Sequence, residues 1–342
     1  MRSGVLLLGV VALLTSALLT ALVRRLAEAH GILDIPNERS SHSSATPRGG
    51  GIAIVVTASA AVLLLAGHGS IPRELCMALV GGGIAVAVVG LMDDRFAVPA
   101  GVRLGVHLLA AVWAVYWLGG LTTVRVGDHI ATLGWVGGVL AVLGITWVLN
   151  LFNFMDGIDG IAASEAVFVA CVGALLSAAG NGLADATAAF AGACAGFLLW
   201  NWPPAKVFLG DVGSGYLGYV VAVLALAAAR NSSVALWVWL ILGGAFFVDA
   251  TLTLARRVWR GERAYEAHRT HAYQWLARRW RSHAKVTMAV IGVNLVWLLP
   301  CAVLAERHPS SAAMTVIVAL VPLVVLAVAF GSGRPADDRT GS

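Results

Sequence analysis

The chain has 342 residues, of which 59% are hydrophobic and only 12% are charged. A soluble domain carries roughly 25% charged residues, so the composition excludes a soluble globular protein. The net charge of +5 does not indicate nucleic-acid binding, because the basic residues are spread through short loops beside apolar stretches. Long unbroken apolar runs exclude a membrane β-barrel, and we expect an all-α, polytopic integral membrane protein.

Uncharged stretches of about 18 residues or more are long enough to cross the bilayer, and counting them predicts eleven transmembrane helices in a single domain over residues 1–330. The first stretch is long enough to span and is followed by Arg24 and Arg25, where a signal peptide would need small residues for cleavage. The sequence shows no internal repeat strong enough to indicate two inverted halves. The eleven helices are expected to begin near Val5, Gly49, Leu75, Leu104, Trp135, Ile161, Asp185, Val212, Val234, Val286 and Ala312.

Loops between successive helices alternate between the two sides of the membrane, so the basic residues can be sorted by loop. Of the 23 lysines and arginines, eighteen fall on one side and five on the other. Cytoplasmic loops carry the excess of positive charge, which predicts an N-terminus outside and a short cytoplasmic tail at 331–342. The segments with unusual polar residues all fall on the predicted cytoplasmic side, and they are 34–51, 92–103, 150–160, 206–214 and 256–285.

The first of these segments, Asp34 to Gly51, is rich in Pro, Ser and Gly and is typical of a flexible connector. Arg48, however, precedes three glycines at the start of the second predicted helix. Helix N-termini attract anions, so Arg48 is also placed to approach a lipid phosphate. The sequence leaves both interpretations open.

Asp93 and Asp94 close the third predicted helix, in Gly-Leu-Met-Asp-Asp-Arg-Phe. Adjacent carboxylates repel each other, and both stay ionised near neutral pH only if water, a cation or an arginine compensates them. A hydrated helix end is the simplest alternative, but acidic residues contribute little to membrane topology. We interpret the pair as a general base or as a site for a divalent cation.

The segment Asn-Leu-Phe-Asn-Phe-Met-Asp-Gly-Ile-Asp-Gly, at 150–160, has an amide or a carboxylate at every third position. On a helix, the two amides would face roughly the same way. The glycines after each carboxylate disfavour a helix and let backbone approach a ligand closely, which predicts a tight loop at the membrane surface. The four polar residues, which together predict a metal or nucleotide site, are Asn150, Asn153, Asp156 and Asp159.

Asp211 lies in Lys-Val-Phe-Leu-Gly-Asp-Val-Gly-Ser-Gly, between a strand-like apolar segment and the eighth predicted helix. Asp is a good N-cap residue, so one interpretation is that its carboxylate caps this helix. Capping and metal binding are compatible. The surrounding glycines favour close approach by a phosphate or a metal ion, and the combination favours a functional role.

The longest cytoplasmic segment, 256–285, is rich in arginine, and most of these arginines fit a basic stretch lying on anionic lipid headgroups. This interpretation does not account for its His-Arg-Thr-His-Ala-Tyr-Gln run. The histidine, arginine and tyrosine side chains there can donate hydrogen bonds to a diphosphate. Asp249, near the inner end of the ninth helix, is a functional candidate as an ionisable residue at the membrane. Pairing with Arg256 or Arg257 is the structural alternative.

These segments, in this order on alternate loops, resemble the polyprenyl-phosphate N-acetylhexosamine-1-phosphate transferases. That family includes the enzymes that initiate O-antigens and enterobacterial common antigen, and the muramoyl-pentapeptide transferase of peptidoglycan synthesis. The resemblance extends from about Asp34 to Gln274. It implies an enzyme of the bacterial inner membrane, with its active site on the cytoplasmic face, that moves a sugar 1-phosphate from a UDP-sugar to undecaprenyl phosphate and releases UMP.

The resemblance also implies roles for individual residues. Mg²⁺, which Mn²⁺ can replace, would be bound by Asp211 and, second, by Asn153. Asp93 and Asp94 match the pair that activates the lipid phosphate or orients the metal complex. Arg103 matches a phosphate-binding position, to which Arg48 is added from its own sequence context. The positions that match the surroundings of the nucleotide and sugar are Asn150, Asp156, Asp159, His268, Arg269 and His271.

The last loop departs from some branches of the family. Peptidoglycan enzymes have three consecutive histidines there, whereas His268-Arg-Thr-His271-Ala-Tyr-Gln is closer to the branch that starts O-antigens on 6-deoxy-N-acetylhexosamines. The sequence therefore favours UDP-N-acetylfucosamine, UDP-N-acetylquinovosamine or a related donor over UDP-GlcNAc. A transporter of lipid-linked sugars is the alternative from another class, but transporters place polar groups near the bilayer midplane. The sequence leaves a homodimer open.

Overall fold

The protein is seen here in a computed structural model that describes residues 2–35, 45–177, 182–232, 235–262 and 269–334. These residues are mostly helical, which confirms the all-α prediction. The helices are α1 Arg2–Ala29, α2 Gly51–Gly67, α3 Arg73–Phe96, α4 Ala100–Leu118, α5 Gly134–Met155, α6 Ile161–Leu176, α7 Leu183–Asn201, α8 Asp211–Asn231, α9 Ala235–Leu242, α10 Gly244–Trp259, α11 Ala272–Trp280, α12 His283–Arg307 and α13 Ala312–Ala329.

Two short hairpins complete the described secondary structure. β1 (Leu33–Asp34) pairs antiparallel with β2 (Thr46–Pro47). β3 (Thr123–Val126) pairs antiparallel with β4 (His129–Thr132), with Val126 opposite His129. The second hairpin lies between α4 and α5.

By length and hydropathy, eight of the described helices can cross a membrane, and α9 with α10, which are bent by 72° at their junction, make up a ninth candidate. α2 and α6 are apolar but shorter, at 17 and 16 residues. The predicted starting points coincide with these helices, apart from Val234, which lies outside the described residues, next to the start of α9. A multi-pass membrane protein is confirmed, whereas eleven crossings and the orientation of the termini stay predictions.

α8 is the most enclosed of the membrane-spanning candidates among the described residues, and it packs against α3 and α5. Leu217 and Tyr219 in it are fully buried. The close packing depends on glycine, because a Cβ atom added at Gly218 would lie 2.7 Å from the Cα atom of Leu149 in α5. The helix that begins at Asp211 is therefore fixed along its length by its neighbours.

α1 packs along α7 through small residues. Gly192 and Gly196 lie four positions apart on α7, and a Cβ atom at either would collide with a carbonyl oxygen of α1. The Ser16 hydroxyl donates a hydrogen bond to the Ala193 carbonyl oxygen at 2.7 Å. Small residues at this spacing let helix backbones approach closely within a bilayer, while much of the opposite face of α1 is exposed.

The chain segments that the sequence assigned to the cytoplasm meet at one end of the bundle. The Phe208 amide donates to the Pro47 carbonyl oxygen at 2.8 Å, and the amides of Gly50 and Gly51 donate to the carbonyl oxygens of Phe208 and Leu209, each at 2.9 Å. The apolar run before Asp211 therefore pairs through backbone hydrogen bonds with the segment that contains Arg48. This pairing brings two of the predicted site segments side by side.

Candidate active site

Asp211, the first residue of α8, lies between two arginines. Arg48 Nη2 is 3.2 Å from Asp211 Oδ1, and Arg103 Nη1 is 3.3 Å from Asp211 Oδ2. Each arginine also holds one member of the acidic pair, since Arg48 Nε lies 2.8 Å from Asp94 Oδ1 and Arg103 pairs with Asp93. Two guanidinium groups and three carboxylates thus join three of the predicted site segments, 34–51, 92–103 and 206–214.

Arg48 remains charged in this cluster. Burial by itself lowers the pKa of Arg48, but the carboxylates of Asp94 and Asp211 raise it, and the net pKa lies above the usual value. The Arg48 side chain is still 36% exposed. It is therefore a permanent cation that is open on one side to an incoming anion.

The Asp94 carboxylate caps α8. It accepts hydrogen bonds from the backbone amides of Asp211 at 2.9 Å and Val212 at 3.1 Å, and its side chain is only 6% exposed. The first amides of a helix have no partner within it, and a carboxylate beside them also compensates the helix dipole. Asp94 thus supplies the cap from a position 117 residues earlier in the chain.

The interpretation that Asp211 caps its own helix is wrong. The N-cap position is occupied by Gly210, and no side-chain hydrogen bond is made there. Gly210 has a φ of 76°, which favours glycine, and a Cβ atom at this residue would lie 2.6 Å from Asp94 Oδ2. The glycine therefore makes room for the carboxylate of Asp94, and the Asp211 side chain is left to face the arginines.

Asp93 binds a different part of the structure from its neighbour. Its Oδ1 accepts a hydrogen bond from the Val98 amide at 2.7 Å, and its Oδ2 pairs with Arg103. Asp93 thereby holds the turn between α3 and α4 and orients the Arg103 side chain toward Asp211. The two carboxylates have separate positions, which the sequence could not assign.

The two amides near the end of α5 make different contacts. Asn153 Nδ2 donates to the Ser214 hydroxyl at 3.0 Å, one turn into α8. Asn150 Nδ2 donates to the Thr146 carbonyl oxygen of its own helix at 2.7 Å. The structure therefore brings Asn153 next to the segment that begins at Asp211, while the Asn150 side chain folds back along α5.

Asp156 follows the last residue of α5 and belongs electrostatically to the Asp211 cluster. Burial raises the pKa of Asp156 well above its usual value, the negative charge of Asp211 raises it further, and Arg48 opposes this shift. Without a cation, these effects favour the protonated form of Asp156. A cation bound nearby would favour its ionised form.

Asp159 is bonded to other elements. Its Oδ2 accepts a hydrogen bond from the Ala205 amide at 3.1 Å and lies 3.3 Å from His283 Nδ1. Its carbonyl oxygen accepts a hydrogen bond from the Thr287 hydroxyl at 2.9 Å. Asp159 therefore links its loop to the segment after α7 and to α12. The sequence analysis did not single out His283 or Thr287, because nothing local marks them as partners of this loop.

Tyr273 occupies the space above Gly157, where the sequence suggested close approach of a ligand. The Tyr273 hydroxyl donates to the Phe154 carbonyl oxygen at 2.9 Å, and a Cβ atom at Gly157 would collide with that hydroxyl oxygen. The Gly160 amide donates to Asn201 Oδ1 at 2.9 Å. Gly157 thus makes room for the Tyr273 side chain, and the approach of a ligand to this loop stays a prediction.

The last loop is partly outside the described residues, and His268 is among the residues not described. Arg269 is described, and its carbonyl oxygen accepts a hydrogen bond from Arg278 Nη2 at 3.1 Å. His271 is 1% exposed, its ring stacks on Tyr273, and its Nδ1 lies 3.7 Å from Asp249 Oδ1. The structure therefore places His271 at the N-terminus of α11, next to Asp249 and Tyr273.

Asp249 caps α11 in the same way that Asp94 caps α8. Its carboxylate accepts hydrogen bonds from the amides of Ala272 at 3.0 Å and Tyr273 at 3.1 Å, and from the Ser332 hydroxyl at 2.8 Å. The alternative of pairing with an arginine one or two turns on is wrong. Arg256 donates to the Ser332 carbonyl oxygen, and Arg257 pairs with Glu262.

The donor set suits a magnesium ion that is completed by substrate. Among the described residues, no group of three or more His, Cys, Asp or Glu side chains could hold a metal ion by itself. Mg²⁺ usually binds through one or two carboxylates together with substrate phosphates. The partly exposed Asp211 carboxylate and the neighbouring Asn153 amide fit that mode.

Comparison with known proteins gives consistent matches. Residues 76–229 match the family described as glycosyl transferase family 4. The chain is 28% identical, over 86% of its length and 83% of the relative, to the probable undecaprenyl-phosphate N-acetylglucosaminyl 1-phosphate transferase of Bacillus subtilis.

Two further relatives carry related names. The chain is 29% identical to the decaprenyl-phosphate N-acetylglucosaminephosphotransferase of Mycolicibacterium smegmatis, over 94% of the chain and 87% of the relative. It is 32% identical to the phospho-N-acetylmuramoyl-pentapeptide-transferase of Moorella thermoacetica, over 74% of the chain and 81% of the relative.

Proposed function

Since the chain belongs to glycosyl transferase family 4, as a polyprenyl-phosphate sugar-phosphate transferase, we propose that it transfers an N-acetylhexosamine 1-phosphate from a UDP-sugar to undecaprenyl phosphate. The observation that carries this proposal is the position of Asp211 between Arg48 and Arg103, where three of the predicted site segments meet at one end of the bundle. We place this end at the cytoplasmic face of a bacterial inner membrane. The basic residues sorted by loop support that orientation.

In this reaction, a phosphate oxygen of undecaprenyl phosphate attacks the β-phosphorus of the UDP-sugar. The bond from that phosphorus to the bridging oxygen breaks, and the electron pair leaves with UMP. Arg48 and Arg103 each bridge two carboxylates and are partly exposed. Phosphates are alternative partners for these guanidinium groups, so the two arginines bind and align the lipid phosphate and the diphosphate for in-line displacement.

The remaining residues support these groups. Asp211 and Asn153 would hold Mg²⁺, which when bound neutralises charge on the diphosphate and on the departing UMP. Asp93 orients Arg103, and Asp94 fixes the first turn of α8 and so the position of Asp211. Asp156 lies close to this cluster, and a bound cation would favour its ionised form. The displacement at phosphorus requires no covalent enzyme intermediate.

For the sugar, we propose a 6-deoxy-N-acetylhexosamine such as N-acetylfucosamine or N-acetylquinovosamine, used to start an O-antigen or another surface polysaccharide. The resemblance of the His268 to Gln274 run to the O-antigen branch supports this donor. The rival donor is UDP-GlcNAc, and it is favoured by the names of the Bacillus subtilis and Mycolicibacterium smegmatis relatives. Both donors share the same diphosphate chemistry.

The test is UMP release by the purified protein with Mg²⁺ and undecaprenyl phosphate, measured separately for UDP-N-acetylfucosamine, UDP-N-acetylquinovosamine, UDP-GalNAc and UDP-GlcNAc. Release with 6-deoxy donors alone supports the full proposal, and release with UDP-GlcNAc replaces the sugar but keeps the transferase. Movement of lipid-linked sugar across vesicles without any UMP would instead favour a transporter.

The Asp211→Asn variant tests the site. Loss of a metal-binding carboxylate is expected to lower UMP release by about a hundredfold or more. Asp128→Asn, in the exposed turn of the β3–β4 hairpin, is the matched control and is expected to keep wild-type activity. Full activity of Asp211→Asn would exclude the proposed metal ligand.

A further inference from the structure

A buried carboxylate and a buried amide face each other between α6 and α12, away from the active-site cluster. Glu165 is 0% exposed and Asn294 is 1% exposed. Asn294 Nδ2 donates a hydrogen bond to Glu165 Oε2 at 2.6 Å. Within the part of the chain that the structure describes, the other oxygens of the pair, Glu165 Oε1 and Asn294 Oδ1, have no hydrogen-bond partner. The mechanism proposed above uses neither residue.

Ionisable and amide side chains are costly in the interior of a membrane protein. An apolar pair of similar volume would pack there without that cost. The presence of the pair therefore suggests a role other than raising stability. A hydrogen bond has a definite geometry, whereas apolar contacts tolerate sliding, so the pair can fix the axial position of one helix against the other.

The same face of α12 also contacts the loop at 156–160. His283 and Thr287 both contact Asp159, as described above. Asn294 lies seven residues after Thr287 and eleven after His283, which are close to whole numbers of helical turns. On the other side, Glu165 lies six residues after Asp159, in the helix that directly follows the loop. Three polar contacts therefore join α12 to one continuous stretch of chain.

The helix geometry of α12 changes at Asn294, the residue that contacts α6. The π-helical turn Asn294–Leu298 begins at this residue, within α12. A π turn adds a residue to the helical repeat and shifts the faces that follow it. The side of α12 that meets α6 thus changes at Asn294, and a shift of α12 along its axis would separate Thr287 and His283 from Asp159.

We propose that Glu165 and Asn294 are positioning residues for the transfer reaction. Their hydrogen bond fixes the axial register of α12 against α6, and this register keeps the loop at 156–160, with Asp156, in place beside Asp211. The kinetic part of the inference rests on the proposed function. The structural part, the placement of the loop, does not.

The experiment compares Glu165→Gln, Glu165→Leu, Asn294→Leu and the double variant Glu165→Leu/Asn294→Leu in the full chain. Hydrogen exchange by mass spectrometry reports the amides of the 156–161 peptide, and UMP release gives kcat and the KM for the donor. Thr187→Val is the matched control, because it removes a buried hydroxyl that bonds only to its own helix at Leu183.

We expect faster exchange of the loop amides and a fall in kcat of about tenfold or more in both leucine single variants. Glu165→Gln keeps an oxygen acceptor for Asn294, and we expect it to retain wild-type exchange and kcat. The double variant leaves no buried polar atom without a hydrogen-bond partner at this pair, so its thermal midpoint should be higher than those of the leucine single variants. Exchange of its loop amides should stay fast, and its kcat should stay low.

The proposal would be overturned if, in the double variant, the exchange rate and kcat returned to wild-type values along with the thermal midpoint. The pair would then matter for stability alone. A fall in kcat and a rise in loop exchange in Glu165→Gln as large as those in Glu165→Leu would also overturn the proposal. If the wild-type protein released no UMP, the exchange measurement would still decide the placement of the loop. Failure of the inference and failure of the proposed function are therefore distinguishable.

Discussion

Asp93 and Asp94 are neighbours in sequence, but their carboxylates support different parts of the site. Asp94 accepts hydrogen bonds from two backbone amides of α8, whereas Asp93 accepts one from a backbone amide in the turn after α3. We expect Asp94→Ala to lower the free energy of unfolding by about 1–2 kcal/mol through loss of the cap, and to lower UMP release as well. Thermal unfolding in detergent and initial rates on the folded protein measure the two effects.

Asp93→Ala is the comparison for this prediction. It should reduce UMP release while shifting the thermal midpoint less than Asp94→Ala does, since it leaves the first turn of α8 capped. Asp94→Asn, which keeps one oxygen acceptor, should fall between the wild type and Asp94→Ala in stability. Equal midpoints for Asp93→Ala and Asp94→Ala would contradict the capping role of Asp94.

The arginines also lead to a prediction about metal removal. Because Arg48 and Arg103 compensate Asp211 directly, folding of the site does not require a cation. We expect EDTA to abolish UMP release and added Mg²⁺ to restore it, with no change in the thermal midpoint without substrate. A clear fall of the midpoint in EDTA would instead indicate a metal ion that is part of the folded structure.

At the scale of elements, α11 supports the loop at 156–160 through one close contact. A Cβ atom at Gly157 would collide with the Tyr273 hydroxyl oxygen. We expect Gly157→Ala to displace α11 and to lower UMP release by about tenfold or more. Tyr273→Phe loses a single hydrogen bond and should cost only about 0.5–1.5 kcal/mol of stability.

The double variant Gly157→Ala/Tyr273→Phe tests whether this contact is the cause. Removing the hydroxyl gives the new methyl group space, so the double variant should be more active than Gly157→Ala alone. Such non-additivity is the signature of direct contact. If the loss of activity in the double variant equalled the sum of the losses in the two single variants, the methyl group would act elsewhere.

The elements and the site segments could largely be predicted from the sequence, because apolar length and local spacing are properties of short stretches. The strand-like character of the run before Asp211 and the placing of the site segments on one side of the membrane are predicted in this way. Contacts between distant stretches could not be predicted. That Asp94 caps α8, that Tyr273 covers Gly157 and that Asp159 meets α12 depend on helix packing across more than a hundred residues.

At the scale of the whole molecule, the distribution of basic residues predicts which end faces the cytoplasm. Two exposed positions at opposite ends test it, namely Asp128 in the β3–β4 turn and Arg281 after α11. In a chain whose native cysteines have been replaced, Asp128→Cys should react with an impermeant maleimide in spheroplasts. Arg281→Cys should react only after the membrane is opened. The reverse pattern would invert the topology.

The packing of α1 on α7 has a consequence for biosynthesis. Ser16 and its partner Ala193 are 177 residues apart, so at about 5–20 residues per second α1 waits roughly 9 to 35 seconds for α7 to be made. During that interval, the face of α1 that will meet the two glycines of α7 is open to lipid or to the insertion machinery. α1 is therefore among the helices whose final packing depends on much later synthesis, and a ribosome that stalls before α7 leaves it without this partner.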